Sequence, residues 1–121
     1  MKYSKKQFGN FGESIVVRYL RKKDWQIITK NFRRWGGEID IIAYDPDGDE
    51  LVFVEVKTRH AINWFDLDQT LSAGQLKHIK RIAKRFMFER ELEERNWRID
   101  HIAILLDENN EIANLEHFEA V

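Results

Sequence analysis

The feature that most constrains the fold is a pair of strand-like segments, residues 38–44 and 51–57, joined by the sequence Asp45-Pro46-Asp47-Gly48. Side chains two residues apart share one face of a strand. Each segment is therefore apolar on one face and ends in charge on the other. Because proline favours a turn and glycine tolerates a left-handed conformation, the two segments are predicted to pair as a hairpin.

The alternation assigns residues to faces. The apolar faces are predicted to hold Ile39, Ile41 and Ala43 in the first segment and Val52, Val54 and Val56 in the second. The opposite faces carry Glu38, Asp40 and Ile42 in the first and Leu51, Phe53, Glu55 and Lys57 in the second. Pairing around the turn then predicts that Asp40 lies close to Glu55 and Lys57.

Two elements are predicted before the hairpin. Apolar residues recur at helical spacing from Gln7 to Lys23, which predicts an amphipathic helix: Phe8, Phe11, Ile15 and Tyr19. Residues 27–33 are predicted to form a first strand. The sequence Trp35-Gly36-Gly37 ends it, because paired glycines permit the positive φ of a tight turn. The short connections make the first three strands an antiparallel meander.

The remaining elements follow a stretch, residues 58–70, that is predicted to be irregular. Ser72 and Gln75 form a capping box and Leu71 and Leu76 a hydrophobic staple, so a second helix is predicted from Ser72 to about Arg95. Its apolar face holds Leu76, Ile79, Ala83 and Phe86. Residues 98–106 are predicted to form a fourth strand and residues 112–118 a short fifth.

This order of elements predicts an α/β fold in a single domain, residues 1–121. A helix between the third and fourth strands favours a right-handed crossover and parallel pairing of those strands. We expect a helix, a three-strand meander, a helix and a strand, with a mixed sheet flanked by helices. No apolar run approaches the ~20 residues of a membrane helix, and no signal peptide is expected. The absence of cysteine is compatible with a cytoplasmic location.

The formal net charge of -1 conceals a segregation of charge. Residues 77–85 of the second predicted helix contain basic side chains and no acid, on the side opposite the apolar face. Basic patches bind polyanions, so these side chains are predicted to contact nucleic-acid phosphates together with Arg59. They are Lys77, Lys80, Arg81, Lys84 and Arg85. The alternative is an ordinary solvated helix face.

The predicted cluster of Asp40, Glu55 and Lys57 has a specific electrostatic problem. Two nearby carboxylates raise each other's pKa unless a cation intervenes, and Lys57 offsets only part of that charge. A hard divalent cation such as Mg²⁺, or Mn²⁺, prefers oxygen ligands and would neutralise the rest. The alternative is a plain ion pair between Lys57 and either acid.

Asp40, a gap of fourteen residues and Glu55-Val56-Lys57 resemble the PD-(D/E)XK nuclease pattern, although Ile39 replaces the usual proline. The chain also resembles the YraN-type family of small predicted endonuclease-like proteins, which is similar to archaeal Holliday-junction resolvases. That resemblance is carried by the sequences GGEID at 36–40, FVEVKTR at 53–59, Gly12-Glu13 and Arg98-Ile99-Asp100.

The resemblance implies a restriction-endonuclease-like core and a metal-facing carboxylate on the first helix, here Glu13. Phosphodiester chemistry then predicts that Asp40 and Glu55 hold Mg²⁺ or Mn²⁺, with the carbonyl of Val56 as a further ligand. Lys57 would orient or deprotonate the attacking water, or offset charge in the transition state. Relatives usually begin the second helix with a lysine, whereas this chain has Gln75, whose capping box needs no catalytic role.

The expected function is metal-dependent, structure-selective hydrolysis of DNA, in repair or recombination. The alternatives are a nucleic-acid-binding protein without turnover and a protein-interaction domain. RNA stays open as a ligand, and the analogy with dimeric resolvases suggests a homodimer. Trp64 and Phe65 could stack on an unpaired base or form a lid or a subunit contact. Glu38 could support the site or pair with Arg33 or Arg34, and Asp100 is expected to have a structural partner.

Overall fold

The computed structural model describes residues 4–61 and 71–121, which form two helices and a five-stranded sheet. In chain order these are α1 (Lys5–Lys22), β1 (Gln26–Arg34), β2 (Gly37–Asp45), β3 (Glu50–His60), α2 (Ala73–Glu89), β4 (Trp97–Leu106) and β5 (Ile112–Phe118). The prediction that residues 62–70 are irregular, and those made for Trp64 and Phe65, lie outside the described residues. Neither described helix is long and apolar enough to cross a membrane.

The strands lie side by side in the order β1-β2-β3-β4-β5. The pairs β1–β2, β2–β3 and β4–β5 are antiparallel, whereas β3 and β4 are parallel. The α2 helix connects the two parallel strands, as a crossover requires. The predicted mixed sheet, antiparallel meander and fifth strand are therefore confirmed. The architecture is compatible with a restriction-endonuclease-like core.

The two helices cover opposite faces of the sheet, because each contributes an apolar stripe to a separate core. Residues of α1 pack with Ile41, Val52, Val54 and Ile102, among others. Residues of α2 pack with Ile42, Phe53, Leu51 and Ile99, among others. The central strands β2, β3 and β4 thus bury both faces, and their backbone is rigidly held between two layers of side chains.

Both helices begin with the same capping box. The Ser72 hydroxyl accepts a hydrogen bond from the Gln75 backbone N–H at 3.1 Å, and the Gln75 side chain accepts one from the Ser72 N–H at 2.8 Å. This confirms the predicted start of α2 and accounts for glutamine at that position. Ser4 and Gln7 form an equivalent pair, so α1 begins at Lys5, two residues before its predicted start.

The prediction that α2 continues to about Arg95 is wrong, because the helix ends at Glu89. Glu91 adopts a left-handed conformation with φ 56°, and the Leu92 N–H donates to the carbonyl of Met87 at 2.8 Å. These contacts form a Schellman motif, which closes a helix even without glycine. Leu92 then packs against the α2 core, so burial of one apolar residue helps to determine where the helix ends.

The prediction that β3 ends at Lys57 and that residues 58–60 are irregular is also wrong, since β3 continues to His60 by pairing with β4. In the hairpin turns the left-handed residues differ from those expected. Asp49 has φ 50° while Gly48 does not have a positive φ, because the Asp45 side chain accepts the Asp47 N–H and organises the turn. Trp35 and Gly36, rather than Gly36 and Gly37, have positive φ in the other turn.

Gly12 sets the distance between α1 and the end of β3. A Cβ atom at this position would lie 1.8 Å from the Thr58 hydroxyl oxygen and 3.1 Å from the Thr58 Cβ. Thr58 is buried, so it has little room to move. The helix can therefore approach β3 closely only with glycine at position 12, and this approach brings the neighbouring Glu13 towards the sheet.

We expect Gly12→Ala to destabilise the protein by roughly 1–3 kcal/mol, the typical cost of overpacking a filled site. Gly9→Ala on the same helix is the matched control, because a Cβ there would meet nothing within 4 Å. That control should be neutral or stabilising by up to about 1 kcal/mol, since alanine favours helix. Equal denaturant midpoints for the two variants would contradict the close contact at Gly12.

Candidate metal centre

The acidic residues meet where β2 separates from β3. The ladder between these strands runs from Asp45–Glu50 to Ile41–Val54 and no regular pair is formed beyond it. The β3 strand continues alone beside β4, so the two strands diverge after Ile41 and Val54. Next to this end of β3 lies a cleft of about 540 Å³, lined by Phe8, Gly9 and Glu13 of α1 and by residues 55–60 of β3.

Asp40 is positioned at the point of divergence by the backbone of β3. Its Oδ2 atom accepts a hydrogen bond from the Val56 N–H at 2.7 Å, and its carboxyl group is close enough to that of Glu55 to feel its negative charge. Only 8% of Asp40 is exposed, whereas Glu55 and Lys57 are half-buried. The structure thus brings Asp40, Glu55 and Lys57 to one place, as the hairpin pattern predicted.

The predicted alternation fails at the same point. Ile41 packs in the α1 core, as expected, but Ile39 packs in the α2 core together with Ile42. The prediction that Ile39, Ile41 and Ala43 share one face is therefore wrong. Since β3 no longer pairs with β2 beyond Ile41, the backbone of β2 is free to rotate around Asp40. This rotation places Ile39 and Ile41 on opposite sides of the sheet.

Two further carboxylates complete the cluster. Carboxylate oxygens of Glu13, Glu38 and Asp40 lie within 4.8 Å of one another. Two ligands of a single Mg²⁺ are at most about 4.2 Å apart, because each lies about 2.1 Å from the ion. The spacing and the hard oxygen donors therefore fit a divalent cation after a small closure. Glu38 also accepts a hydrogen bond from Arg33 at 2.7 Å, so the predicted salt bridge is present as well.

The electrostatics of the cluster favour a bound cation. Burial, and then the negative charge of Glu55, raise the pKa of Asp40 well above its ordinary value. Burial also raises the pKa of Glu55, although the Lys57 ammonium opposes that rise. The pKa of Glu13 is raised by burial, against a hydrogen bond from Asn31. Burial and mutual repulsion therefore disfavour the charged forms of these carboxyl groups, and a bound cation would favour those forms.

Asn31 is a site residue that the sequence reasoning missed. Its Nδ2 atom donates to the Glu13 Oε1 atom at 2.8 Å. Asn31 lies inside β1 with φ 54°, a left-handed conformation that asparagine tolerates better than other non-glycine residues. Strain of this kind often collects at functional sites. Asparagine is depleted in strand interiors, so its presence within a predicted strand was the available signal.

The predicted basic side chains of α2 are all exposed: Lys77, Lys80, Arg81, Lys84 and Arg85, hereafter the basic face. Arg85 forms an ion pair at 2.6 Å with Glu89, which also binds Arg34 at 2.6 Å, so part of its charge is compensated. Arg59 is exposed at the end of β3, and its guanidinium donates to the carbonyl of Thr58. Val56 is half-buried beside the cleft and donates its N–H to Asp40.

A second polar cluster has a structural explanation. Asp100 is fully buried and accepts hydrogen bonds from Arg98 at 3.0 Å, His117 at 2.7 Å and the Ala120 N–H at 3.0 Å. Burial alone would raise its pKa, but the hydrogen bonds from His117 and Arg98 outweigh burial and leave the pKa lowered. Asp100 therefore has the structural partners that the sequence predicted, and it connects β4 to β5.

Asp40→Asn should make the metal-free protein more stable at alkaline pH. A raised folded-state pKa contributes stability below the ordinary carboxyl pKa of about 4, and this contribution is lost as the pH rises. The pKa of Asp40 is raised to about 8, so wild type without metal should lose stability as the pH rises from about 4 to about 8. Asparagine removes one titrating group, and its amide can still accept a hydrogen bond from the Val56 N–H and donate one to Glu55. The variant should therefore lose less stability than wild type as the pH rises.

Thermal unfolding at several pH values with a chelator, and again with Mg²⁺, measures both effects. At about 100 times its Kd, Mg²⁺ should stabilise wild type by about 2.7 kcal/mol and should have little effect on the variant. Asp107→Asn is a control on a carboxylate outside the cluster. Equal stabilisation of wild type and Asp40→Asn by Mg²⁺ would contradict a metal centre at Asp40.

Comparison with known proteins places the chain in a family, whose model covers the part of the chain that contains Glu13, Asp40 and Glu55. The model of "Uncharacterised protein family UPF0102" matches residues 12–104. Proteins named "UPF0102 protein" are similar over nearly their whole length. That of Caldicellulosiruptor saccharolyticus is 32% identical over 112 residues, 93% of each chain. That of Carboxydothermus hydrogenoformans is 33% identical over 118 residues, 98% of this chain and 97% of the relative. The chain therefore belongs to the uncharacterised protein family UPF0102.

Proposed function

We propose that the protein hydrolyses phosphodiester bonds of DNA with a divalent metal ion, as a PD-(D/E)XK nuclease similar to archaeal Holliday-junction resolvases. The observation that carries the proposal is the buried Asp40 carboxylate, held by the Val56 N–H and close to the charge of Glu55, next to a cleft that Glu55 and Lys57 line. Buried acids that repel each other weaken a fold unless they bind something. A structural role alone does not explain why the chain retains them.

Asp40 and Glu55 are the proposed metal ligands, and the carbonyl of Val56 is a further one. Carboxylate oxygens of Glu13 and Glu38 lie within 4.8 Å of one of Asp40, so both are further candidate ligands of an ion at Asp40. When bound, Mg²⁺ or Mn²⁺ supplies the positive charge that a phosphodiester requires as negative charge grows on its oxygens. Asn31 holds Glu13 in place by its hydrogen bond, while the Val56 N–H holds Asp40. These contacts limit the movement of the acids before substrate binds.

Lys57 has a different proposed role, because it offers a positive charge and three donors but cannot bind a metal while protonated. It lines the cleft beside Glu55, whose charge it partly offsets. We assign to it the orientation of the attacking water and the stabilisation of charge that develops in the transition state. A charge that acts mainly on the transition state contributes little to ground-state binding.

The substrate class follows from the basic face. Its exposed side chains form a positive surface on α2, which suits the regular phosphate spacing of duplex or branched DNA. RNA carries the same phosphates, so it belongs among the substrates to test. The similarity to resolvases also makes a homodimer, acting in the cytoplasm on branched DNA, part of the proposal.

A second candidate function is nucleic-acid binding without turnover. The basic face favours it, since exposed positive charge serves binding as well as catalysis. The acidic cluster argues against it, because carboxylates near a phosphate oppose binding unless a cation is present. The distinction therefore depends on whether Lys57 affects a chemical step.

Lys57→Ala should abolish cleavage while leaving DNA affinity nearly unchanged. The loss should reach about two to three orders of magnitude in rate, the typical effect of removing one preorganised transition-state contact. Lys22→Ala, which removes an exposed lysine at the end of α1, is the control and should cut like wild type. The assay compares junctions, flaps, nicked and single-stranded DNA, and RNA, each with Mg²⁺ and with Mn²⁺.

Two outcomes would contradict these roles. If Lys57→Ala cuts as fast as wild type, Lys57 is only an ion-pair partner of Glu55. If wild type binds these nucleic acids and cuts none of them, the non-catalytic binding function replaces the nuclease. Asp40→Asn separates the cases further, because it should remove cleavage and Mg²⁺-dependent stabilisation together.

The basic face should give DNA binding a steep dependence on salt. Each phosphate contact releases about one counterion, so the double variant Lys80→Ala and Lys84→Ala should reduce the logarithmic salt slope by roughly two. A matched control removes two exposed charges from the last turn of α1, by Arg21→Ala and Lys22→Ala. If both double variants change the slope equally, the charge acts through the whole molecule and the basic face is not the binding surface.

A further inference from the structure

Trp35 occupies the tip of the β1–β2 hairpin. The last pair of the ladder is Arg34–Gly37, so Trp35 and Gly36 form a two-residue turn with φ 52° and 74°. Positive φ at both central residues is typical of a type I′ turn, in which asparagine, aspartate and glycine dominate. A bulky residue in the left-handed region is an outlier, because its side chain crowds the backbone there.

Burial of the Trp35 ring does not compensate for its strained left-handed backbone. Trp35 is 52% exposed, so much of its ring meets water. Phe88, which is 60% exposed, lies instead in regular helix, where its backbone is unstrained. At Trp35 both the turn geometry and the solvent exposure disfavour a large aromatic ring. The strained conformation therefore points to a contact outside the chain.

The surroundings of Trp35 indicate the chemistry of that contact. The guanidinium of Arg81, in the basic face, lies 4.6 Å from the centre of a Trp35 ring. Among residues 4–61 and 71–121, no acid lies within ion-pair distance of Arg81. The hairpin is held against α2 where a Cβ at Gly37 would lie 1.8 Å from the His78 ring. Trp35 is thus a fixed aromatic extension of the basic face.

The tip is also within reach of the metal centre. Trp35 precedes Glu38 by three residues and Asp40 by five on the same hairpin arm. At about 3.3 Å per residue, the path along the strand to Asp40 is roughly 15 Å. A DNA strand in a duplex advances about 3.4 Å along the helix axis per nucleotide, so a few nucleotides cover this distance. One substrate molecule can therefore contact both places.

We propose that Trp35 stacks on an unpaired nucleobase of the DNA substrate while Arg81 and its neighbours hold the adjacent phosphates. Every base presents an aromatic face, so the contact selects exposed bases and not a base sequence. In a fully paired duplex the bases are already stacked on one another, and the ring has no partner. The inference rests on the proposed function only in taking DNA as the ligand, and it concerns binding alone.

The test measures affinity for a duplex with one unpaired adenine in a single-base bulge, against the same duplex fully paired. Ca²⁺ replaces Mg²⁺ so that an oxygen site can be filled while binding is measured. Wild type should prefer the bulged duplex by about tenfold, since stacking on one base is worth ~1–3 kcal/mol. Trp35→Ala should lose that preference. Trp35→Tyr should retain most of it, because a tyrosine ring also stacks.

Phe88→Ala is the matched control. Phe88 is 60% exposed and carries the Arg85 guanidinium 5.5 Å from its ring, but it lies in the last turn of α2 without positive φ. The control should keep the preference for the bulged duplex. If it loses the preference as well, general aromatic exposure explains the binding and the assignment to Trp35 is wrong.

Trp35→Asn separates stacking from a structural role. Asparagine suits the left-handed turn, so this variant should melt at the same temperature as wild type or higher while losing the preference. A lower melting temperature with the preference intact would show that Trp35 serves the fold. Sedimentation of the free protein completes the test. If Trp35→Ala dissociates an oligomer, the ring is a protein contact and the proposal is overturned.

The outcomes for this proposal and for the nuclease are independent. If the protein cuts DNA but binds bulged and paired duplexes equally, the proposed nuclease function stands and the proposed Trp35 stacking site is refuted. If it prefers the bulged duplex through Trp35 but cuts nothing, the stacking site stands and the nuclease function is refuted.

Discussion

The separation of β2 from β3 beyond Ile41 is the constraint on which the rest of the site depends. Where the ladder stops, the Val56 N–H needs another acceptor, and the Asp40 side chain supplies it at 2.7 Å. One hydrogen bond thus satisfies a buried backbone donor and fixes a carboxylate beside Glu55. The part of β3 beyond this separation, residues 55–60, lines the cleft next to α1. The end of the strand ladder therefore determines where the Asp40 carboxylate lies.

Two well-packed cores support this strained region. Apolar side chains of α1 and α2 cover opposite faces of the sheet and hold β3 between them. At the edge of the α1 core, Gly12 lets the helix approach Thr58, and Asn31 adopts a left-handed conformation that reaches Glu13. The left-handed backbone of Asn31 and the repulsion among carboxylates destabilise the fold locally. Burial of apolar side chains elsewhere in the domain offsets this destabilisation. A bound cation would remove the repulsion among carboxylates.

Much of the architecture was predictable because helices and strands leave different periods in a sequence. Ser72 and Gln75 marked the start of α2, and the turn at Pro46 marked the hairpin. The end of α2 was not predictable in the same way, because Glu91 replaces the usual glycine and Leu92 ends the helix by packing against the core. For the site, the spacing of Asp40, Glu55 and Lys57 sufficed to expect a cluster, since it depends on one short hairpin.

The sequence by itself determined the order of the elements, the apolar stripes of the two helices and the pairing that brings Asp40 near Glu55, because each depends on residues close together in the chain. Only the tertiary structure decided that Glu38 lies with Glu13 in the cluster, that Asn31 holds Glu13, and that Trp35 lies against Arg81. Those contacts join residues from separate elements, and their geometry follows from how α1 and α2 pack on the sheet. Periodicity assigns a residue to a face, but packing selects its neighbour.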